Sequence, residues 1–450
     1  MTMPKNLTQK QLIIIAAVAL VVIIGFVVFY LNIRKNAGGA GTLNVTIWGT
    51  DAPKAFNDII SSYAGPGSGS SATIKYTQIP LANYYEELLS AIAAGTGPDI
   101  FEIGNRDLAQ WKSVLTPIPA ADATTFSLVT LQNDFPTVVG QDFVSGGQIY
   151  ALPLSIDTLA MIYNKDLVDS AGIATLPATW TDFDNDVSKL RAINSTGQLT
   201  QAAAALGGSQ ASIANAPDIV FLMMLQNGTQ MTSNNGSTVS FTGLSINANS
   251  GSSGNSGIPA GSPGLSAFNF YLSFANSASQ YYTWSDSMGN AEDSFEQGKT
   301  AIIFDYSSAL ADIKAKSPFL NYAVAPMLQP AGATGAVNYA KYSGLAVNRN
   351  SASAAAAWSF IISLTTSPAD ESIYTTDMAS PPALRTAIAA DAIDPVMSVF
   401  ATQALSARSW PEANSVTVDG ALNAAIMQVL GGSANSTDAL NEAQSTINGG

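Results

Sequence analysis

The sequence predicts an α/β protein with mainly parallel sheets, because short apolar strands and amphipathic helices alternate along it. The first such unit opens at Leu43, where Leu43-Asn44-Val45-Thr46-Ile47-Trp48 alternates apolar and polar side chains as a strand does. Tyr85, Leu88, Leu89 and Ile92 then fall at helical spacing, the glycines of AAGTGPD stop that helix, and Asp99-Ile100-Phe101 starts a new strand. A second unit repeats the rhythm. Ile149–Leu154 and Thr158–Tyr163 read as strands, and Thr179 with Asp182 forms a capping box for a helix whose apolar positions are Phe183, Val187 and Leu190. With 450 residues and no fixed-period repeat, the chain has room for about two or three domains.

Ahead of these units, Leu12–Leu31 (LIIIAAVALVVIIGFVVFYL) is uncharged and long enough as a helix to cross about 30 Å of hydrocarbon. It exceeds the apolar core of a cleavable signal, about 7–15 residues, and Arg34-Lys35 follow directly. A retained transmembrane anchor is expected, with 1–11 cytoplasmic and 32–41, including NAGGAG, as a linker. Further along, Thr229–Gly264 shifts to Ser, Gly and Asn and reads as a solvated loop. Helical signals resume at Leu265–Ala275, and Asn414–Asn448 reads as two helices separated by Gly431-Gly432.

The stretch FEQGKTAIIFDYS, Phe295–Ser307, contains the Gly-Lys-Thr that ends a phosphate-binding loop. The first glycine of such a loop would stand at position 293, which is Asp293, a carboxylate that repels phosphate. The element order is also reversed, since Ala291–Gln297 reads as the end of a helix and Ala301–Phe304 as a buried strand. Both grounds argue against a phosphate-binding loop here. Composition removes more classes. The chain has no cysteine and no histidine, so thiolate nucleophiles, imidazole bases, Cys/His zinc sites and disulfides are all unavailable. The balance of 18 basic against 32 acidic residues, with no basic stripe, opposes nucleic-acid binding.

Seven segments in order carry a resemblance: TLNVTIWGTD, YYEELLSAIAAGTGPDIFEI, GQIYALPLSIDTLAMIYNKDLVDSAGI with PATWTDF, FEQGKTAIIFDYS, LNYAVAPM, YSGLAVNRNS with AWSFI, and the tail with NEAQ. They resemble the extracellular solute-binding proteins of ABC importers, in the group that includes maltose-binding protein and other sugar receptors. The resemblance implies a two-lobed, periplasmic-binding-protein-like fold with a ligand cleft between the lobes and closure by hinge motion. It places residues 42–154 and 323–375 in lobe 1 and 155–322 and 376–450 in lobe 2, with crossings near Leu154-Ser155, Tyr322-Ala323 and Thr376. It also implies a monomeric receptor that needs no cofactor or metal and passes a sugar or oligosaccharide to ABC permease subunits in the membrane.

Ligands of open α/β sheets bind at the carboxyl ends of strands, and sugars are held by aromatic faces together with carboxylates, amides and Arg. Trp48 and Asp51 end the first strand; Glu102 and Asn105 follow another. Asp157 stands after the Ala-Leu-Pro segment, where family members commonly place a ligand carboxylate. Asp305 and Tyr306 end the FEQGK unit, whereas Lys299 reads as a solvated turn residue. Trp284 lies in an aromatic cluster, Ser343 and Gly344 precede a strand, and Arg385 and Trp410 sit where the family tail returns to the cleft. Core packing is an equal reading for Trp48, Trp284 and Trp410. Two departures stand out: the chain has no cysteine for a lipid anchor, and Ser308 stands where maltose-binding protein has a tryptophan, which counts against maltodextrin. Two other classes fit the same residues. One is a non-transporting sensory or adhesion receptor on this fold. The other is a glycosidase using Glu102, Asp157 and Asp305, which needs two acids about 5–10 Å apart.

Overall fold

The computed structural model describes residues 43–64, 72–119, 126–233, 238–242, 262–390 and 394–449. The Leu12–Leu31 segment lies outside them, as does most of the Ser/Gly/Asn-rich stretch. Among the described residues no helix is long and apolar enough to cross a membrane.

The first sheet starts with β1 (Leu43–Gly49), β2 (Ala72–Gln78) and β3 (Ile100–Gly104), and β1 pairs parallel with both neighbours. Helices Pro53–Ala64 and Leu81–Ala93 make the connections. A short strand β4 (Leu115–Thr116) leads through two helices to the hairpin of β5 (Val144–Ser145) and β6 (Gln148–Ile149). Its two turn residues, Gly146 and Gly147, both have positive φ, which a side chain would oppose. Strand β7 (Ala151–Leu152) follows, and the chain then leaves through β8 (Asp157–Thr158).

A second sheet gathers β9 (Ala160–Asn164), β10 (Ala192–Ile193), β11 (Leu199–Ala204), β12 (Thr300–Asp305) and β13 (Tyr322–Ala325) in the order β10-β11-β12-β9-β13. Every residue of β12 is buried, as its unbroken apolar run requires of a central strand covered on both faces. The chain returns through β14 (Asn338–Lys341) and β15 (Ser343–Asn348), which enters the first sheet between β3 and β4. Strand β16 (Ala407–Arg408) pairs with β14, and β14 pairs with β8, so three passing segments are hydrogen-bonded into a small sheet of their own.

The sheets are mixed rather than mainly parallel. β15 runs antiparallel to β3, β4 and β7, while β9 runs antiparallel to β12 and β13, because these strands arrive from the other half of the molecule. Two hydrophobic cores result, one holding Ile47, Phe101, Val347 and Trp358, the other Met161, Phe183, Phe221 and Phe304. Two crossings depart from the expected places. Tyr322–Ala325 is an edge strand of the second sheet, so the return falls at Tyr342, between β14 and β15. Tyr374 and Ile388 still pack in the first core; the last passage runs along helix Met397–Ala404, where Phe400 faces the second core and Ala401 the first.

The Gly-Lys-Thr stretch is a helix stop. Helix Ala291–Glu296 ends with Gly298 at φ 68°, and the Gly298 and Lys299 N–H groups donate to the carbonyls of Phe295 and Ser294 at 2.9 Å each. This is a Schellman closure that needs a left-handed residue. The Lys299 side chain is exposed, and its ammonium donates to Gln297 at 2.8 Å. Gly298→Ala is therefore expected to cost about 1–2 kcal/mol in urea denaturation, and Lys299→Ala nothing measurable.

Candidate ligand-binding site

Between the two cores lies a cavity of about 530 Å³. Asp51, Tyr342, Ser343 and Tyr374 line it from one side, and Asn215, Glu292, Asp305, Tyr306 and Ser307 from the other. Asp157, on the passing strand β8, stands between them.

Each carboxylate is held by the ends of strands. The carboxyl of Asp51, just past β1, accepts from the Tyr374 hydroxyl at 2.5 Å, and its carbonyl accepts from the Tyr76 hydroxyl at 2.9 Å. Behind it Glu102 is buried, accepting the Thr50 N–H and hydroxyl at 3.0 and 3.1 Å. Burial pushes both Asp51 and Glu102 upward, Glu102 furthest because the Asp51 charge adds to its burial. Gly49 makes room for this pair: a Cβ there would lie 2.0 Å from Glu102 Oε1. Asp157 accepts from the Ser307 N–H and hydroxyl at 3.1 and 2.7 Å and from the Thr158 N–H at 2.9 Å, yet burial still raises it to about 6. Asp305 Oδ1 accepts from the Tyr306 N–H at 2.8 Å and Asn215 Nδ2 at 2.7 Å; burial raises it to about 7, with Glu292 and Asp157 adding like charge.

Lys341 is the cation of the wall. Its ammonium donates to Asp218 at 3.3 Å and lies 5.4 Å from the centre of the Tyr306 ring, whose hydroxyl donates to the same Asp218 at 2.9 Å. Beneath them Arg106 is buried, donating to Asp419 through both terminal nitrogens at 2.8 and 2.7 Å and to Glu412 at 3.1 Å. It also lies 3.9 Å from Asp218. The site thus offers carboxylates and serine hydroxyls beside nearly buried tyrosines in a walled cleft, the equipment for binding a polar organic ligand.

The profile of the bacterial extracellular solute-binding proteins matches residues 50–371, well over half of the chain. The chain belongs to that family. This solute-binding protein is 24% identical over 307 residues to a binding protein of Brucella abortus, covering 67% of the chain and 66% of the relative, just short of two thirds of its length. Its fold superposes on the sugar-binding protein MalE of Xanthomonas citri with a TM-score of 0.72 at 18% identity, covering 90% and 96% of the two chains. The cyclic α-maltosyl-1,6-maltose binding protein of Arthrobacter globiformis gives 0.71 at 18%, covering 91% and 99%. The family is one of receptors rather than enzymes, and its name places the binding domain outside the cytoplasm.

Of the residues singled out in the sequence, Asp51, Asp157, Asp305, Tyr306 and Ser343 line the cavity of this solute-binding protein. The others stand elsewhere. Trp284 is fully buried with Nε1 donating to Ser212, and Trp410 is packed between Phe221 and Phe241. Trp48 is half-buried against the first core. Arg385 is spent on the Phe135 carbonyl at 2.8 Å. Gly344 is pressed against the Phe143 ring, 2.6 Å from where a Cβ would be. Glu102 and Asn105 form a layer behind the wall; Asn105 Oδ1 accepts the Tyr342 N–H, and its amide donates to buried Asp142. Asn215, Glu292, Lys341 and Tyr374 were not singled out. Lys341 adjoins the Tyr342-Ser343 segment, the one local signal among them.

Burial holds Asp142 and Asp157 near 6 and Asp184 and Asp305 near 7. These folded-state values lie above the unfolded ones, so the stabilisation is complete below about pH 4 and is lost as pH rises through 6 to 7. Asp218 opposes the trend: burial disfavours its charge, but Lys341 and Arg106 outweigh it and hold the group low, so its contribution disappears only in strong acid. The melting temperature of the ligand-free protein is expected to fall between pH 5 and pH 8; a rise over that interval would contradict the arrangement.

Proposed function

We propose that this protein is a membrane-anchored carbohydrate receptor that delivers its ligand to an ABC importer. The observation that carries the reading is the interlobe cavity, where Asp51, Asp157 and Asp305 meet the tyrosines 306, 342 and 374. Carboxylates pair with hydroxyls in charge-assisted hydrogen bonds, so the lining suits a polyhydroxylated ligand such as a sugar. The similarity of the fold to sugar-binding receptors supports the same reading. The Leu12–Leu31 run serves as the uncleaved anchor, with the binding domain on the extracytoplasmic side. Binding proceeds without turnover.

Isothermal titration of the full-length protein in detergent against mono- and oligosaccharides tests the reading, with product analysis for hydrolysis. Saturable binding without product is expected, and a saccharide at about 100 times its dissociation constant adds about 2.7 kcal/mol of stability. Hydrolysis above background would replace the receptor reading with a carboxylate glycosidase. Protease shaving of intact cells is expected to digest the domain; survival until lysis would reverse the orientation.

A further inference from the structure

We infer that the ligand carries a protonated amino group, as an amino sugar does, seated against Asp305 and Glu292. This rests on the receptor reading and adds the charge of the ligand to it.

The cavity wall carries the carboxylates of Asp51, Asp157, Glu292, Asp305 and Asp312 against the single ammonium of Lys341. That ammonium is already committed to Asp218, which is not part of the lining. Among the described residues the second-lobe wall therefore has no free cation of its own in the lining, and Lys316 acts on Glu292 only from outside it. Asp305 adds an independent sign. It is 8% exposed, its Oδ1 is filled by Tyr306 and Asn215, and among the described residues no hydrogen bond from the protein is made to its Oδ2. Glu292, at the start of the helix Ala291–Glu296, adds like charge to Asp305, and so does Asp157. Asp157 is supplied by Ser307 and Thr158 and Asp51 by Tyr374, and Asp312 is exposed to water, so Asp305 and Glu292 are the sheltered carboxylates in need of a donor. A neutral hydroxyl supplies a hydrogen bond and leaves Asp305 partly protonated by its burial, whereas an ammonium supplies the hydrogen bond and a counter-charge that favours the carboxylate. A bare metal ion does not fit the same need, since no group of three or more acidic side chains among the described residues is placed to hold one.

The experiment titrates the full-length protein with the β-1,4-linked glucosamine disaccharide, with its di-N-acetylated form, with maltose and with spermidine. The expected result is that the free-amine disaccharide binds about tenfold to a hundredfold more tightly than its acetylated form, with a margin that shrinks as salt is raised. Asp305→Asn keeps the Oδ1 acceptor and is expected to abolish most of that margin. Glu292→Gln, at a half-exposed position, is expected to narrow it without affecting folding. If the acetylated disaccharide or maltose binds as well as the free amine, the amine inference is overturned while the carbohydrate reading stands. If spermidine binds and no saccharide does, the amine inference holds and the carbohydrate reading falls.

Discussion

Replacing Arg106 with alanine is expected to cost about 3–5 kcal/mol in urea denaturation. Arg106 is only 7% exposed and comes from the turn after β3, in the first lobe. Its partners come from the other core: Asp218 from helix Ala216–Gln226, Asp419 from helix Ser415–Leu430, and Glu412 from the segment just before it. Removing the guanidinium leaves Glu412 buried without a counter-charge and Asp218 with Lys341 alone, which costs far more than the pair contributes over an apolar replacement. Burial already pushes Glu412 well above the ordinary carboxylate range, so it takes up a proton readily once Arg106 is gone. The loss should consequently be smaller at pH 5 than at pH 8. Arg106→Met combined with Glu412→Gln is expected to recover part of the stability. A single Arg106→Ala variant within about 1 kcal/mol of the parent would show that water already solvates the cluster.

Trp284→Ala is expected to lose about 3–5 kcal/mol, with ligand affinity per folded molecule unchanged. The indole is 0% exposed and its N–H donates to Ser212 at 3.1 Å. Gly208 is packed so closely that a Cβ there would lie 2.8 Å from the ring, so the site cannot collapse around a smaller residue without moving backbone. Denaturation and titration on the same preparation separate the two effects. A weakened affinity at unchanged stability would return Trp284 to the cleft.

What could be read from the sequence was local. The Thr179–Asp182 capping box closes as its spacing requires, with Asp182 N–H donating to Thr179 at 3.1 Å and Thr179 N–H returning to the Asp182 carboxylate at 3.1 Å. The apolar run of β12 and the glycine stop before it likewise depend only on neighbours in the chain. The cavity-lining positions of Asp51 and Asp305 likewise follow from their places at strand ends. Tyr374 was not: it lies on a helix with no marker of its own and meets Asp51 across 323 positions of sequence. Trp284 and Trp410 show the converse limit, since an aromatic residue beside polar neighbours carries no local sign of which side it will face. The return crossing was misplaced because the apolar residues of β13 suit an edge strand of either sheet.

The late entry of β15 into the first sheet has a consequence for biosynthesis. Leu345 stands opposite Glu102, and the strand occupies the slot between β3 and β4. Until that strand has emerged from the ribosome, β3 of the amino-terminal half has no partner on one side, and its core lacks Leu345, Ala346 and Val347. Loop-closure entropy over so long an intervening segment slows the step further. A polypeptide destined to thread through a narrow translocation pore gains from this order of events, because its leading half stays pliable while the rest is still being made.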